Sequence, residues 1–556
     1  MTKQSERMRI SKAFVLVIFL ICLFVSCAVG LTPKDNCLDY PMSVISAGRI
    51  LAGERPYVDY AAIYGPLGHY LLALGIWPLQ FLSLAESVNI FLLLCTFLYF
   101  FLALRSLLSL ASGWPTAFGV LCLYLVLLSP VIAAWNYYSL LADLSLVISL
   151  QVSHNAFNRD LSLRRSRTAL VLLAILAVLA VFIRLNFGFY LLFDIFLILC
   201  LRLILDREGV GRAAAVLLGS CLVVAFVVIG LLAWRGIWLP YFHSTIEYLG
   251  RYKSRVMPLH LVLRSKISLI WMGIFILLLV GLAVCALDLI RRRRVGAGLF
   301  GILLTPCLFH YAVQRFDIQH IYPLLLLSPL IWSEIAREYR DMEAPNSIHP
   351  PSDIPRASLR SPRTLEMIPG LIAMIPLSLF PLDRGVIETA IYHWIPSVAV
   401  VRPPHADTPT VVRNSVRILP EEAAMLDTLS DRGARRHPIL WASLPGCDES
   451  TSQAGANIAM YLAQGILPKT QIWFFDTAFT PYPDVQRILI QDLERTGIST
   501  VAMQGLIDPT LGYIPGNPRD STLFYDYVRQ HFKLKGQFKM PAANRYYDIY
   551  VRKDAL

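Results

Sequence analysis

Long apolar runs separated by short polar connections fill the chain as far as about residue 382, where the pattern changes to short alternating apolar and polar stretches. A helix crossing a bilayer needs about twenty apolar residues. Runs of roughly that kind number eleven, at approximately 13–31, 86–107, 115–134, 138–153, 168–183, 187–205, 213–233, 267–288, 298–313, 320–336 and 365–381. The third and fourth are separated only by the turn at Trp135-Asn136-Tyr137-Tyr138-Ser139, whose aromatics suit a membrane interface. The first run follows Lys3, Arg7, Arg9 and Lys12 and ends in small residues, as a signal peptide does. Because further spans follow, it is read as a retained helix.

Three stretches depart from this rhythm. Between the first two runs, Pro33–Leu74 carries Asp35, Asp39, Glu54, Arg55 and Asp59 among aromatics and a Gly-Glu-Arg-Pro-Tyr turn. Two spans need only a short tether, so a long acidic and aromatic connection implies a built surface. Residues 337–364 hold five prolines with Ser and Arg and read as a flexible cytoplasmic linker. After the last run, PEEAAMLDTLSDRG, YPDVQRILIQDLERTG and STLFYDYVRQHF read as helices, and HPILWASLP, ISTVAMQG and RYYDIYVRK as strands. The expected fold is therefore a polytopic α-helical membrane protein of about eleven transmembrane helices over residues 1–381, with a soluble α/β domain over 382–556. That domain carries no Gly-rich phosphate loop and no nucleophile elbow. It is expected to be non-catalytic, with acceptor binding as a lid its natural role.

Composition agrees: 56% of the 556 residues are hydrophobic and 16% charged, and mean hydropathy is +0.56. The net charge of +12 fits cytoplasmic loops facing anionic lipid, so it does not argue for nucleic acid. Eight of ten cysteines lie in apolar runs, leaving Cys37 and Cys447, which make neither a disulfide framework nor a metal motif. With the N-terminus inside, the inner loops collect Arg105; Arg159, Arg164, Arg165 and Arg167; Arg207 and Arg212; Arg291–Arg294; and Arg337, Arg340, Arg356, Arg360 and Arg363. The odd span count then puts the Asp39 loop and the C-terminal domain outside. One outer loop is unusually basic, with Arg235, Arg251, Lys253, Arg255, Arg264 and Lys266. It serves either as ordinary interfacial charge or as a cationic wall for a phosphate.

The first outer loop, 32–85, resembles that of the GT-C class of polyprenyl-phosphate-sugar-dependent membrane glycosyltransferases, the superfamily of protein mannosyltransferases and aminoarabinose transferases. The resemblance rests on Asp39 after the first run, the helix ISAGRILAG, the segment Gly53-Glu54-Arg55-Pro56-Tyr57-Val58-Asp59 and the turn Tyr64-Gly65-Pro66-Leu67. Weaker echoes are Arg184-Leu-Asn186-Phe-Gly188 and Arg315-Phe-Asp317-Ile-Gln-His320-Ile-Tyr322-Pro323. It implies a helix lying along the membrane after Asp39, and a polyprenyl-phosphate-linked donor whose sugar passes, with inversion, to a lipid, glycan or protein acceptor. Many members show paired acids where this chain has Asp39-Tyr40. The resemblance therefore leaves room for a divalent cation but does not supply its usual pair of ligands.

Transfer requires a base for the acceptor hydroxyl and cations for the departing phosphate. Spacing back from Gly53 in the resemblance selects Asp39 over Asp35 as the base, although Asp is equally apt as a helix cap. Asp59 either holds the loop or assists the site. Arg184, at the end of a span, needs a partner, which is either a lipid headgroup or the substrate phosphate. Arg315 and His320 lie on the same outer face, with Asp317 between them. Asp143 and Asp194, inside apolar runs, are expected to pair within the bundle. Two other functions compete. A transporter or flippase also uses many spans with buried charge, but commonly shows repeats and broken helices. A polymerase or ligase using lipid-diphosphate donors usually carries its large outer loop late in the chain.

Overall fold

The computed structural model describes residues 20, 23, 39–110, 137–157, 163–205, 210–252, 266–315, 318–343, 411–414, 416–429, 439–443, 456–473, 482–507, 522–541 and 545–555. Two short helices come first, α1 (Asp39–Leu51) and α2 (Pro66–Ile76). The long helices that follow are α3 (Leu84–Leu110), α4 (Tyr137–Phe157), α5 (Leu163–Ile183), α6 (Leu185–Leu205) and α7 (Val210–Trp234). After α8 (Trp238–Tyr252) come α9 (Lys266–Arg291), α10 (Ala297–Arg315) and α11 (Ile318–Glu343). Expected spans thus fall on α3–α7 and α9–α11, whereas the first (apart from Leu20 and Leu23), the third and the eleventh lie outside the described residues.

Segments 140–157, 166–183, 185–205 and 210–234 are long and apolar enough to cross a bilayer, and Pro66–Leu79 with Leu84–Tyr99 forms a further pair bent by 110°. Exposed Phe189, Phe193 and Phe196 on α6, and exposed Leu218, Leu222, Phe226 and Val227 on α7, recur at helical spacing. Such a stripe of large apolar side chains is tolerable only against lipid. The chain is a multi-pass membrane protein. Burial orders the helices: 67% of the α4 span is buried but only 17% of the α7 span, so α4 is interior and α7 faces lipid. Central α5 packs on α2, α4, α6 and α7.

Residues 411–555 build a second unit. A hairpin of β1 (Val411–Arg413) and β2 (Val416–Ile418) precedes α12 (Pro420–Leu429). A four-stranded sheet in the order β3-β4-β6-β5 follows, made of β3 (Ile439–Ser443), β4 (Thr500–Leu506), β5 (Phe532–Met540) and β6 (Arg545–Arg552). Strands β3 and β4 pair in parallel and the others antiparallel. Helices α13 (Ala456–Gln464), α14 (Pro483–Thr496) and α15 (Leu523–His531) complete it. Alternation along the strands divides two cores. Leu440, Val501, Met503 and Tyr550 face α14 and α15, while Trp441, Ala502, Tyr547 and Ile549 join an apolar cluster that continues into α1 and the bundle. Glu422, fully buried, fixes the start of α12 by accepting from the Leu419 N–H at 2.8 Å. It also takes Arg545 at 2.5 Å and the Tyr547 hydroxyl at 3.3 Å, so that three donors reach the carboxylate of this buried ion pair.

In the C-terminal unit four elements, β1, β2, α13 and β5, have no counterpart in the elements expected from the sequence. The segment expected to be a linker begins inside α11, which runs on to Glu343, and the rest of it lies outside the described residues.

Candidate active site

Helix α1 carries the site's first acid and its first surprise. Asp39 is its first residue, at the positive end of the helix dipole, where a carboxylate is favoured. The resemblance implied a helix lying along the membrane. On α1 Tyr40, Met42, Ser43, Val44, Ile45, Ser46, Ala47 and Arg49 are all buried in the protein, leaving no solvent face over that stretch. Small residues permit this. A Cβ on Gly48 would stand 2.5 Å from a Leu84 methyl of α3 and 3.1 Å from one on Leu467, so bundle and C-terminal unit close on α1 from two sides.

The helix ends in a Schellman motif: Glu54 N–H donates to the Arg49 carbonyl and Gly53 N–H to the Ile50 carbonyl, each at 2.9 Å. Gly53 sits at φ 91°, a left-handed position that costs glycine least. The chain then makes a second tight turn. Asp59 Oδ2 accepts from the Arg55 backbone N–H at 2.7 Å and from its Nε at 3.1 Å, while Oδ1 accepts from the other guanidinium nitrogen at 3.3 Å. The Arg55 guanidinium bonded to Asp59 holds that carboxyl below the ordinary carboxylate range. Tyr57 takes a left-handed φ of 68°, its N–H donates to the Tyr60 carbonyl at 2.8 Å, and its hydroxyl donates to the Tyr64 carbonyl.

Beneath the turn runs a buried polar chain. Ser46 Oγ lies 2.7 Å from the Tyr60 hydroxyl and 2.7 Å from His69 Nδ1. Burial raises the Tyr60 phenol, so it keeps its proton across the working range of pH. Gly65 closes the loop by donating its N–H to the Ile183 carbonyl at 3.1 Å, and Pro66 opens α2 at a position where a missing N–H costs nothing.

Gly65 thereby docks the loop on the junction of α5 and α6, where Arg184 is the single non-helical residue. A Cβ on Gly188 would collide with the Val181 backbone. Seven residues of continuous helix span about 10 Å, so the chain must reverse at Arg184. Its guanidinium is caged by three rings, with centroids at 5.6 Å for Tyr64, 5.3 Å for Phe187 and 5.2 Å for Tyr311, and it donates to the Tyr311 hydroxyl. Asp143 in α4 is buried and within its electrostatic reach. Asp194 in α6 is fully buried. Among the described residues neither acid has a hydrogen-bond partner. The pairing expected for them within the bundle is thus not made as a hydrogen bond by either acid among the described residues.

Of the residues singled out from the sequence, Asp59 and Arg184 both bear on loop 53–65: Asp59 lies within it, bonded to Arg55, and Arg184 lies against Tyr64 near its end. Asp39 stands apart: ten helical positions separate it from Arg49, about 15 Å along the axis, and Arg49 touches Asp59. Arg315 ends α10, His320 lies in the first turn of α11, and Arg251 lies in the last turn of α8. Lys253, Arg255 and Asp317 lie outside the described residues. Among the described residues no group of three or more His, Cys, Asp or Glu is placed to hold a metal ion. The sequence pattern alone did not point to Arg49, His69 or Trp473, although a lone Arg in the small-residue helix ISAGRILAG was a visible signal.

No family model matches the chain, and no curated protein matches it. Solved structures do. ArnT from Cupriavidus metallidurans bound to undecaprenyl phosphate superposes with a TM-score of 0.51 at 14% identity, over 97% of each chain. The apo state of that ArnT gives 0.48 at 14% identity, again over 97% of each. The apo oligosaccharyltransferase of Archaeoglobus fulgidus gives 0.47 at 12%, over 90% of this chain and 70% of the other. The resemblance stated from the loop holds at the level of architecture: over nearly its whole length the chain has the fold of ArnT, a GT-C glycosyltransferase.

Proposed function

We propose that the chain is an integral-membrane glycosyltransferase that moves a sugar from a polyprenyl-phosphate carrier to a lipid, glycan or protein acceptor on the outer side of the cytoplasmic membrane. The N-terminus is inside, and the C-terminal unit, a soluble domain, lies outside. The observation that carries the reading is the docking of loop 53–65 through Gly65 and Tyr64 onto the caged Arg184, in a chain with the fold of a protein solved with undecaprenyl phosphate bound.

Asp39 is the general base. It takes the proton of the acceptor hydroxyl as that oxygen attacks C1, and the C1–O bond to phosphate breaks with its electron pair going to the phosphate. The carrier phosphate leaves from the opposite face, giving inversion. Asp59 is a poor rival for this role, because three N–H donors already bind it and its basicity is lowered, and proton uptake from an alcohol becomes harder as the base weakens. Asp59 holds the loop. Arg184 stands where a carrier phosphate meets the loop, with Arg315, His320, Arg251, Lys253 and Arg255 as the further cationic contributors. A fixed guanidinium there stabilises the growing phosphate charge and grips two oxygens at once.

Asp39→Asn tests the reading, since it keeps size and removes basicity. Expected is a loss of transfer of about 10² to 10⁴, with expression and thermal unfolding near wild type. An Asn variant as active as wild type with its true donor refutes the role of Asp39. Wild-type protein that moves a lipid-linked substrate across vesicles without transferring sugar would replace the reading by a flippase.

A further inference from the structure

Arg49 is the point where three parts of the molecule meet. Its side chain is 2% exposed, yet it carries a full charge into the boundary between bundle and C-terminal unit. Its Nε donates to Glu54 Oε2 at 2.5 Å, one terminal nitrogen to the Thr470 carbonyl at 2.8 Å, and the other to the Asp59 carbonyl at 3.3 Å. The guanidinium also lies over the Tyr60 ring, 4.6 Å from its centroid. Only the planar fork of Arg can reach a carboxylate and two carbonyls in these directions while stacking on a ring.

Two backbone contacts lie beside it. Ala61 N–H donates to the Gln471 carbonyl at 2.8 Å, and Trp473 Nε1 donates to the Ala61 carbonyl at 3.0 Å. Both polar groups of Ala61 are thus satisfied by the C-terminal unit. The segment 470–473 is itself anchored: Gln471 N–H donates to the buried Asp492 of α14, which pairs with Arg495 at 2.9 Å, and Trp473 is fully buried.

We infer that Arg49 is a positioning residue, and that with Trp473 it makes the C-terminal unit a fixed template that holds loop 53–65 in its working shape. This deepens the proposed transfer reaction and rests on it for its kinetic consequence. It also replaces the lid expected from the sequence. A lid must swing, whereas this unit shares an apolar cluster with α1 and supplies the backbone hydrogen bonds of Ala61 in the loop.

The test uses the full chain in lipid nanodiscs with three variants: Trp473→Phe, which removes one N–H while keeping an aromatic core residue; Arg49→Lys, which keeps charge but loses the fork; and Arg49→Met. Amide exchange is followed by mass spectrometry on peptides covering 53–65, with β4 as an internal control, and sugar transfer is measured alongside. Expected is exchange about 5- to 30-fold faster in the loop with β4 unchanged. The turnover number should fall by tenfold or more while the donor KM stays within about twofold, as when reacting groups are bound but misplaced. Arg49→Lys should fall between wild type and Arg49→Met. Unchanged loop exchange in Trp473→Phe and Arg49→Lys overturns the inference. So does faster loop exchange with undiminished turnover, or equal acceleration in β4, which would mean simple unfolding of the unit. If the wild type transfers no sugar from any polyprenyl-phosphate donor, the proposed function fails, and loop exchange alone then judges the template.

Discussion

Gly65→Ala is the most exacting single change for the docking described above. Gly65 has φ −56° and ψ 141°, a conformation any residue adopts, so alanine brings no backbone strain. At such a site a methyl group ordinarily stabilises by about 0.4–1 kcal/mol through the unfolded chain. Here the new Cβ would be driven into the Phe182 carbonyl oxygen and would stand 3.0 Å from the Ile183 carbonyl carbon. Both obstacles are backbone at the end of a transmembrane helix and cannot rotate away. Relief requires the loop to move by on the order of 1 Å, stretching the 3.1 Å bond from Gly65 N–H to Ile183. Overpacking costs about 1–3 kcal/mol and the weakened bond about 1 kcal/mol, which outweighs the entropic gain. A displacement of that size in a reacting geometry costs about 10² in rate. Sugar transfer by purified protein in nanodiscs, with calorimetry on the same sample, checks both figures. A Gly65→Ala protein as active as wild type and equally or more stable would show that the loop does not dock on α5 as described.

Two further predictions separate the proposed chemistry from simple membrane anchoring. Arg184→Ala should weaken donor binding by about tenfold or more, since a hydrogen bond between charged groups is worth about 1.5–3 kcal/mol, and Arg184→Lys should restore only part because it lacks the planar fork. Donor affinity unaltered in both variants would leave Arg184 a bilayer anchor. Reporter fusions after Gly30 and near Val400 should read outside, and fusions near Ser166 and Arg293 inside; an inside signal near Val400 would remove the C-terminal unit from the active face.

The helical part of the fold was legible because a bilayer imposes a single rule. Every backbone polar group in hydrocarbon must be satisfied within the helix, so composition over some twenty residues carries most of the information. In the C-terminal unit the legible elements were those with a clean period, such as α14, whose buried Val485, Leu489 and Leu493 recur every four residues. Strand β5 was missed because it is an edge. Lys533, Leu534 and Lys535 are exposed and its register slips between Leu534 and Gly536, so it shows neither steady alternation nor a buried run. Helix α13 was missed for the opposite reason. Ile458–Ala463 are all buried, between the sheet and α1, and an evenly apolar short stretch has no period to read.

The site divides in the same way. The resemblance found the loop because its turn residues are locally constrained: Gly53 by a left-handed φ, Pro66 by the first turn of α2, Asp59 by its own neighbour Arg55. What it could not find is whatever depends on contact between distant parts of the chain. Arg49 is a single basic residue in a helix expected to lie along a membrane, where an exposed cation would be unremarkable. Its meaning comes from Thr470, more than four hundred residues away, whose carbonyl takes its hydrogen bond. A charge buried to 2% exposure persists only when its donors are satisfied, so it reports on its partners more strictly than an apolar residue could. Leucine in the same place would record only that the site is dry. Arginine records that a carboxylate, two carbonyls and an aromatic face have been brought to one point, and that point lies at the root of the loop.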